Sequence, residues 1–189
     1  MKDMSGHRHL WLDLVALGRA LRPRSTHVSV TNFTAPVLDD SPILSRQTVY
    51  QQTLVAQNPG LLTVVNGRYS RKTKTCHNCH KTWTHYEEEE TDVSIATTLL
   101  LTAAEAKADT ILLVSADSDL APAVRIAKRW LGPTFLAAAF PPSRYSSELK
   151  SLMPASFPIG RTKITGSQLP KTVLDSRAGI LYRKPAKWV

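Results

Sequence analysis

Two aspartates, Asp117 and Asp119, follow directly after the apolar run Ile111–Val114, and a helical pattern with Pro122 in its first turn begins behind them. This order predicts a buried parallel strand, a tight turn and the start of a helix. Ligands of open α/β sheets bind just outside the carboxyl ends of the strands. Because two adjacent acids repel each other unless a cation lies between them, the spacing favours a Mg²⁺ site. The alternative is that Asp117 or Asp119 only caps the helix.

The positive charge of the chain is unevenly distributed. The net charge is +9, of which residues 68–81 carry +5 and residues 141–189 carry +7, leaving −3 for the remainder. Two basic segments beside an acidic crevice suit a polyanion that is held by its phosphates while carboxylate-bound metal acts on it. The alternative is a basic surface that only keeps the protein soluble.

The two cysteines lie three residues apart in a histidine-rich segment. Two cysteines are too few for a disulfide framework, but Cys76, Cys79, His80 and His85 could supply the four ligands of a structural Zn²⁺. Otherwise the two cysteines are reduced thiols in a loop.

The polar stretch Met1–His9 predicts no signal peptide, and the lack of a long apolar run predicts no membrane partner. We therefore expect a cytoplasmic protein.

Helical and strand patterns alternate along the chain. Helices are predicted at residues 10–21, 46–57, 91–107, 119–131 and 146–152, and strands at 27–33, 61–65, 111–114 and 134–139. Thr91 is expected to cap the third helix, and residues 67–85 are expected to be irregular. This alternation predicts an α/β fold with a mostly parallel central sheet covered by helices on both faces. We expect a domain over residues 1–153 with a basic Cys-x-x-Cys loop at 67–86. A basic, Pro-punctuated extension with one short hairpin would follow over residues 154–189.

Several segments together resemble the NYN domain, a branch of the PIN-like nucleases. They are Thr91–Ala96, Ser115–Leu120, His9–Leu14, Cys76–His80 and Ser167–Pro170, so the resemblance covers nearly the whole chain. It implies a three-layer α/β/α sandwich and a metal-dependent ribonuclease whose acids gather around Mg²⁺ or Mn²⁺. It also implies Asp92, Asp117 and Asp119 as metal ligands and catalytic residues, with Ser115 as their neighbour.

The chain departs from the family pattern at three places. The family's opening strand, which carries an Asp-x-x-Asn motif, has no counterpart, since Asp3 follows no apolar strand. Glu89 stands where the family often has Lys, and Thr102 stands where an Asp is common. Because the opening strand of such sheets is normally central, we expect either a start upstream of Met1 or a rearranged sheet.

Most of the other residues near the predicted site have two possible roles. Asp92 would reach the metal from the first turn of its helix, or it would only complement the helix dipole. The acidic run Glu87–Glu90 would add a ligand or form a solvated face. Phosphate binding is expected from the basic residues Arg68, Arg71, Lys72 and Lys74. Tyr69 and Trp83 would stack on bases or simply pack against the protein.

Three functions are compatible with these residues. The first is a metal-dependent ribonuclease that cleaves single-stranded or structured RNA. The second is a catalytically decayed or truncated NYN protein that acts as an RNA-binding module, which the missing opening acid and Thr102 favour. The third is a phosphatase of another α/β class, although its Asp-x-Asp motif normally lies near the N-terminus. Assembly into a homo-oligomer is left open by the sequence.

Overall fold

The computed structural model describes residues 9–188. The helices are α1 (Leu14–Leu21), α2 (Ser41–Gln57), α3 (Thr91–Ala104), α4 (Ala121–Trp130), α5 (Ser147–Leu152) and α6 (Arg161–Gly166). The strands are β1 (Val30–Thr34), β2 (Leu62–Asn66), β3 (Arg68–Thr75), β4 (Thr82–Glu89), β5 (Thr110–Leu113), β6 (Phe135–Phe140), β7 (Phe157–Pro158), β8 (Thr172–Asp175) and β9 (Ile180–Arg183). The prediction of no signal peptide, and the position of Asp3, fall on residues outside the described range.

Two parallel sheets form the framework of the chain. Strands β1 and β2 pair in parallel, and β5, β6 and β7 form a second parallel sheet. Helix α2 connects β1 to β2, and α4 connects β5 to β6, as crossovers between parallel strands require. The predicted mixed α/β fold is thus confirmed, but the parallel strands of the described residues form two sheets, whereas we expected one. The absence of a central opening strand stays a prediction.

Helix α1 lies between the two sheets and contributes to two core clusters. Val15 on one side of the helix, and Trp11 just before it, pack with Leu54 and Leu62 from the β1–β2 side. Leu17 of the helix packs in the cluster that contains residues of β6 and α6. Apolar residues on two sides of one short helix therefore join the two sheets, and this burial is the main favourable contribution to folding.

Buried polar contacts fix the start of α1. Asp13 caps the helix by accepting hydrogen bonds from the amides of Val15 and Ala16 at 3.0 and 3.1 Å, and it accepts a third from Asn58 Nδ2 at 3.1 Å. Asn58 ends α2, so this network ties the two helices together. The Tyr50 hydroxyl donates a hydrogen bond to the Leu12 carbonyl. Its pKa is raised mainly because it is buried, and to a smaller extent because the Asp13 carboxylate is near.

Residues 67–85 were predicted to be irregular, and this prediction was wrong. Strands β3 and β4 form a long antiparallel hairpin in which Arg68 lies opposite Glu89 and Thr75 lies opposite Thr82. The missed signal is cross-strand complementarity, because basic residues of β3 meet acidic residues of β4. Threonines and aromatic residues in both segments also favour strands. The predicted loop at 67–86 is therefore a structured arm that extends to Glu89.

The C-terminal segment folds against the rest of the protein. It contains the predicted short hairpin, β8–β9, and also α6 and β7, which the sequence analysis missed. Trp188 packs edge-on to Trp11 and Tyr50, with ring centroids 6.1 and 5.8 Å apart, and Trp11 Nε1 donates to the Pro170 carbonyl at 2.8 Å. None of the helices in residues 9–188 is long and apolar enough to span a membrane.

Candidate active site

A tight turn at the carboxyl end of β5 presents the two aspartates of the Asp-x-Asp motif. The Asp117 side chain accepts a hydrogen bond from the Asp119 amide at 3.0 Å, and the Asp117 amide donates to Ser115 Oγ at 3.1 Å. Leu120, only 1% exposed, anchors the turn in the core that α3 and α4 share. The carboxylates are exposed while the residue behind them is buried, so the turn is fixed in position. Asp117 does cap the 3₁₀ turn Ser118–Leu120, which leads directly into α4.

The capping role of Asp117 and the metal-binding role are compatible. The cap uses Oδ1 of the carboxylate, which leaves Oδ2 as the oxygen that can bind a cation. Carboxylate oxygens are the ligands that Mg²⁺ and Mn²⁺ prefer. Ser115, which the resemblance placed beside the ligands, orients the turn through its hydrogen bond to the Asp117 amide.

The start of α3 brings in the third aspartate, although not through the predicted cap. Glu90 occupies the capping position in a left-handed conformation (φ 73°) without a capping hydrogen bond, so the assignment of Thr91 as the cap was wrong. The Thr91 hydroxyl instead donates to Glu88 Oε1 at 2.6 Å. Asp92 lies in the first turn of the helix, where a carboxylate is stabilised by the helix dipole.

Gly67 allows the hairpin arm to approach α3 closely. A Cβ atom at this position would lie 2.7 Å from Thr91 Oγ1 and 2.8 Å from the carbonyl oxygen of Glu89. Real Cβ atoms do not tolerate such contacts with backbone, so only glycine fits here. The base of the hairpin arm is therefore held against the first turn of α3, next to Asp92.

An open acidic cavity of about 380 Å³ lies where these elements meet. It is lined by Glu88, Glu90, Thr91, Asp92, Val93 and Asp117. The pKa of Asp92 is raised mainly by partial burial and secondly by the negative charges of Asp117, Asp119 and Glu88. Carboxylates from three separate elements thus act on one another electrostatically. The sequence analysis offered Glu88 only as part of an acidic run, and its position at the end of β4 is what brings it to the cavity.

The described residues do not form a complete metal-binding site. Within residues 9–188, no group of three His, Cys, Asp or Glu side chains is arranged closely enough to hold a metal ion. The chemistry of the donors fits a hard cation, because such ions prefer carboxylate oxygens. After burial, the negative charges of Asp117, Asp119 and Glu88 also raise the pKa of Asp92, and a cation would offset them. Thr102, which replaces an acid common in the family, turns its hydroxyl back to the Thr98 carbonyl at 2.8 Å.

The four basic residues predicted to bind phosphate are divided between the two faces of the hairpin arm. Arg68, Lys72 and Lys74 share one face with Glu87 and Glu89, with which they form ion pairs. The hydrogen bonds from Lys72 and Lys74 lower the pKa of Glu87 to about 2. Three of the four cations therefore already have carboxylate partners.

Arg71 lies on the opposite face of the hairpin arm. Its guanidinium approaches Thr84 Oγ1 at 3.5 Å, which is a weak contact. The two aromatic residues singled out from the sequence are divided in the same way, with Tyr69 on the face of Arg71 and Trp83 on the ion-paired face. The two faces thus differ in their chemistry.

Of the residues predicted to bind Zn²⁺, the structure brings the two cysteines together in one turn. The Cys76 amide donates to the Lys81 carbonyl at 2.9 Å, and backbone hydrogen bonds from Cys79 and Asn78 lower the pKa of the Cys76 thiol. His85 lies further along β4, opposite Lys72. Among residues 9–188, Cys76, Cys79, His80 and His85 do not assemble into a metal-holding group.

Comparison with known families identifies the domain. The sequence model of the NYN domain matches residues 15–155. The chain belongs to the NYN domain family. This family is generally one of PIN-like nucleases, and its match spans β1 to β6, which include the hairpin arm, and the acidic cavity. The resemblance inferred from the sequence is thus confirmed.

Similarity to curated proteins and to solved structures is limited. No curated protein matches the chain. A crystal structure of a protein of unknown function from Vibrio parahaemolyticus is similar over 73% of this chain and 97% of that chain, with 16% sequence identity and a TM-score of 0.32.

Proposed function

We propose that this NYN protein is a metal-dependent ribonuclease whose site is the acidic cavity. The observation that supports this most directly is the convergence of Asp92 from α3, Asp117 and Asp119 from the turn after β5, and Glu88 from β4. Carboxylates repel one another in this position, which destabilises the fold unless a cation or a proton offsets the charge. Clusters of acids with raised pKa values are common at functional sites.

Asp92, Asp117 and Asp119 would hold Mg²⁺ or Mn²⁺ at this cavity. Bound there, the ion would supply an activated water and would offset the charge that develops on the scissile phosphate. The other residues of the site position these carboxylates. Ser115 fixes the Asp117 backbone and the Asp119 amide fixes the Asp117 carboxylate. The Thr91 hydroxyl holds Glu88 at the cavity that Asp92 also lines.

The overall charge of the chain supports a polyanionic substrate. A local cluster of acids would repel RNA, so an RNA-cleaving site needs cations around it. The net charge of +9 meets this need, together with Arg71 of the hairpin arm, which forms no ion pair among the described residues. The arm joins the cavity directly at Glu88 and Glu90, so RNA held by the arm would be close to the carboxylates.

The test is cleavage of labelled single-stranded RNA by the full chain, with Mg²⁺ or Mn²⁺ and with chelator. We expect cleavage that requires metal and that is lost in Asp92→Asn and Asp117→Asn. The matched control is Asp109→Asn, which makes the same charge change at the opposite end of β5, because Asp109 precedes the strand and Asp117 follows it. Equal loss of activity in the control would contradict a specific site.

A second candidate function is RNA binding without cleavage. It is favoured by one observation, that no three potential ligands within the described residues are arranged to hold a metal ion. This candidate predicts that the full chain retains RNA with a steep salt dependence but leaves it intact in Mg²⁺ and Mn²⁺. A phosphatase activity would instead appear as turnover of a small phosphate monoester faster than that of RNA.

A further inference from the structure

The register of the hairpin arm sorts its side chains into two faces. In an antiparallel pair, residues directly opposite each other project to the same side. One side, which we call the ion-paired face, carries Arg68, Ser70, Lys72, Lys74, Trp83, His85, Glu87 and Glu89. The other side, which we call the tyrosine face, carries Tyr69, Arg71, Thr73, Thr75, Thr82, Thr84, Tyr86 and Glu88. The arm is about 27 Å long, since each of its eight residues per strand adds about 3.4 Å.

The ion-paired face is largely neutralised. Lys72 Nζ lies 2.7 Å from Glu87 Oε2 and 3.2 Å from Glu89 Oε1, and Lys74 Nζ lies 2.9 Å from Glu87 Oε1. At the base of the arm, Arg68 contacts both Glu89 and Glu90. A phosphate that bound these cations would have to displace carboxylates or lie beside them. This face is therefore poorly suited to phosphate binding in spite of its basic residues.

The tyrosine face has the composition of a surface that binds unpaired bases. Arg71 lies directly opposite Tyr86 in the register, and Tyr69 is the next residue of β3 on the same face. Arg71 is exposed, and the described residues offer it no acidic partner within ion-pair distance. In the register Arg71 thus has Tyr86 across the strands and Tyr69 two residues before it, while its guanidinium extends toward Thr84. A guanidinium beside aromatic residues can contact a phosphate while a base stacks on a neighbouring ring. Four threonine hydroxyls continue this face toward the tip of the arm.

The tyrosine face also leads into the acidic cavity. The Tyr69 hydroxyl is 3.5 Å from Glu88 Oε2, and Glu88 lines the cavity together with Asp92. The hydroxyl of Tyr86 donates to Asp39, so that its ring is held at its outer end. A strand of RNA lying on this face would therefore reach the carboxylates without crossing the edge of the hairpin.

We propose that the tyrosine face binds single-stranded RNA and guides it into the cavity, with bases on Tyr69 and Tyr86 and a backbone phosphate on Arg71. This inference rests on the proposed function of the cavity and names the substrate as an unpaired strand. Bases inside a duplex are stacked on one another and cannot stack on side chains, so duplex RNA should be a poor ligand of this face.

Arg71 and Lys72 provide a matched test, because they are consecutive, carry the same charge and project to opposite faces. Binding of a labelled single-stranded RNA to the full chain is measured in chelator, so that cleavage does not interfere, over a range of salt concentrations. We expect Arg71→Gln to weaken binding severalfold and to reduce the salt slope by about one phosphate contact. Lys72→Gln should have a clearly smaller effect. Equal effects, or a larger effect of Lys72→Gln, would overturn the assignment of the face.

Tyr69 tests the stacking part of the inference. Tyr69→Ala should weaken binding of single-stranded RNA by roughly fivefold to a hundredfold, as expected for the loss of one stacked base. Tyr69→Phe keeps the ring and should retain affinity, and circular dichroism checks that each variant is folded. If Tyr69→Phe loses as much affinity as Tyr69→Ala, stacking is refuted.

The same measurements separate this inference from the proposed function. Binding that depends on Arg71 and Tyr69, without cleavage in metal, would support the tyrosine face and refute the ribonuclease. Metal-dependent cleavage with equal sensitivity to Arg71→Gln and Lys72→Gln would support the ribonuclease and refute the tyrosine face. A full chain that binds no single-stranded RNA would refute both.

Discussion

Substitution of Asp117 separates its two roles, as a cap and as a metal ligand. Asp117→Asn keeps an oxygen that can accept the hydrogen bond from the Asp119 amide, which is 3.0 Å away. Asp117→Ala removes it, and the loss of a cap costs about 1 kcal/mol. In a protein of this size, 1 kcal/mol corresponds to about 2–4 °C in Tm. In chelator we therefore expect the asparagine variant to melt at or slightly above the wild type. The alanine variant loses the same charge and also the cap, so it should melt about 2–4 °C below the asparagine variant.

A small gain in the asparagine variant has a physical reason. The substitution removes one of the negative charges that raise the pKa of Asp92. Because Asp92 and Asp117 are exposed, solvent screens their repulsion, and its relief is worth at most about 1 kcal/mol. The gain should therefore be smaller than about 4 °C and should shrink as salt is added.

Metal addition gives the second half of the experiment. At a Mn²⁺ concentration ten times its Kd, binding stabilises the folded protein by about 1.4 kcal/mol. Differential scanning fluorimetry should then show a rise of about 3–6 °C for the wild type. Both Asp117 variants should lose most of this rise and should also lose RNA cleavage, whereas Asp109→Asn should keep both. A full rise in Tm, or a wild-type rate of cleavage, in Asp117→Asn would refute the assignment of Asp117 as a metal ligand.

Three further predictions concern the elements around the site. Gly67→Ala should push the base of the hairpin arm away from α3 and lower the free energy of unfolding, measured in urea, by about 1–3 kcal/mol. Gly166→Ala should not lower it, because a Cβ there meets nothing within 4 Å and alanine favours the helix. Since the pKa of Glu87 is lowered from 4.5 to about 2, its ion pairs stabilise the arm above pH 4.5 and are lost as the pH falls toward 2. Fluorescence of Trp83, taken as the difference between the full chain and its Trp83→Phe variant, should follow this loss, and Glu87→Gln should reduce the change. Asp13→Ala should leave buried donors unpaired and destabilise the protein by about 1–3 kcal/mol in urea, with an unchanged Kd for Mn²⁺ in titrations below the melting range.

The local order of the elements could be predicted from the sequence because it depends on short-range patterns. An apolar run followed by Asp117, Asp119 and Pro122 indicates strand, turn and helix through backbone propensity and capping, and the structure has these elements in this order. The mixed α/β class followed from the alternation of such patterns. The hairpin arm was missed because the local strand signal of its threonines and aromatic residues is weak, and the stronger signal lies in the pairing of β3 with β4, which no single segment contains.

The sequence by itself pointed to Asp92, Asp117 and Asp119 as candidate metal ligands, because ligands of α/β sheets bind at the carboxyl ends of the strands, and this assignment stays a prediction. Only the tertiary structure decided which residues join them. Glu88 reaches the cavity because β4 ends where α3 begins and the Thr91 hydroxyl donates to its carboxylate. Likewise, the distribution of Arg71 and Lys72 between two faces depends on the register of β3 with β4, since a shift of one residue would exchange the faces.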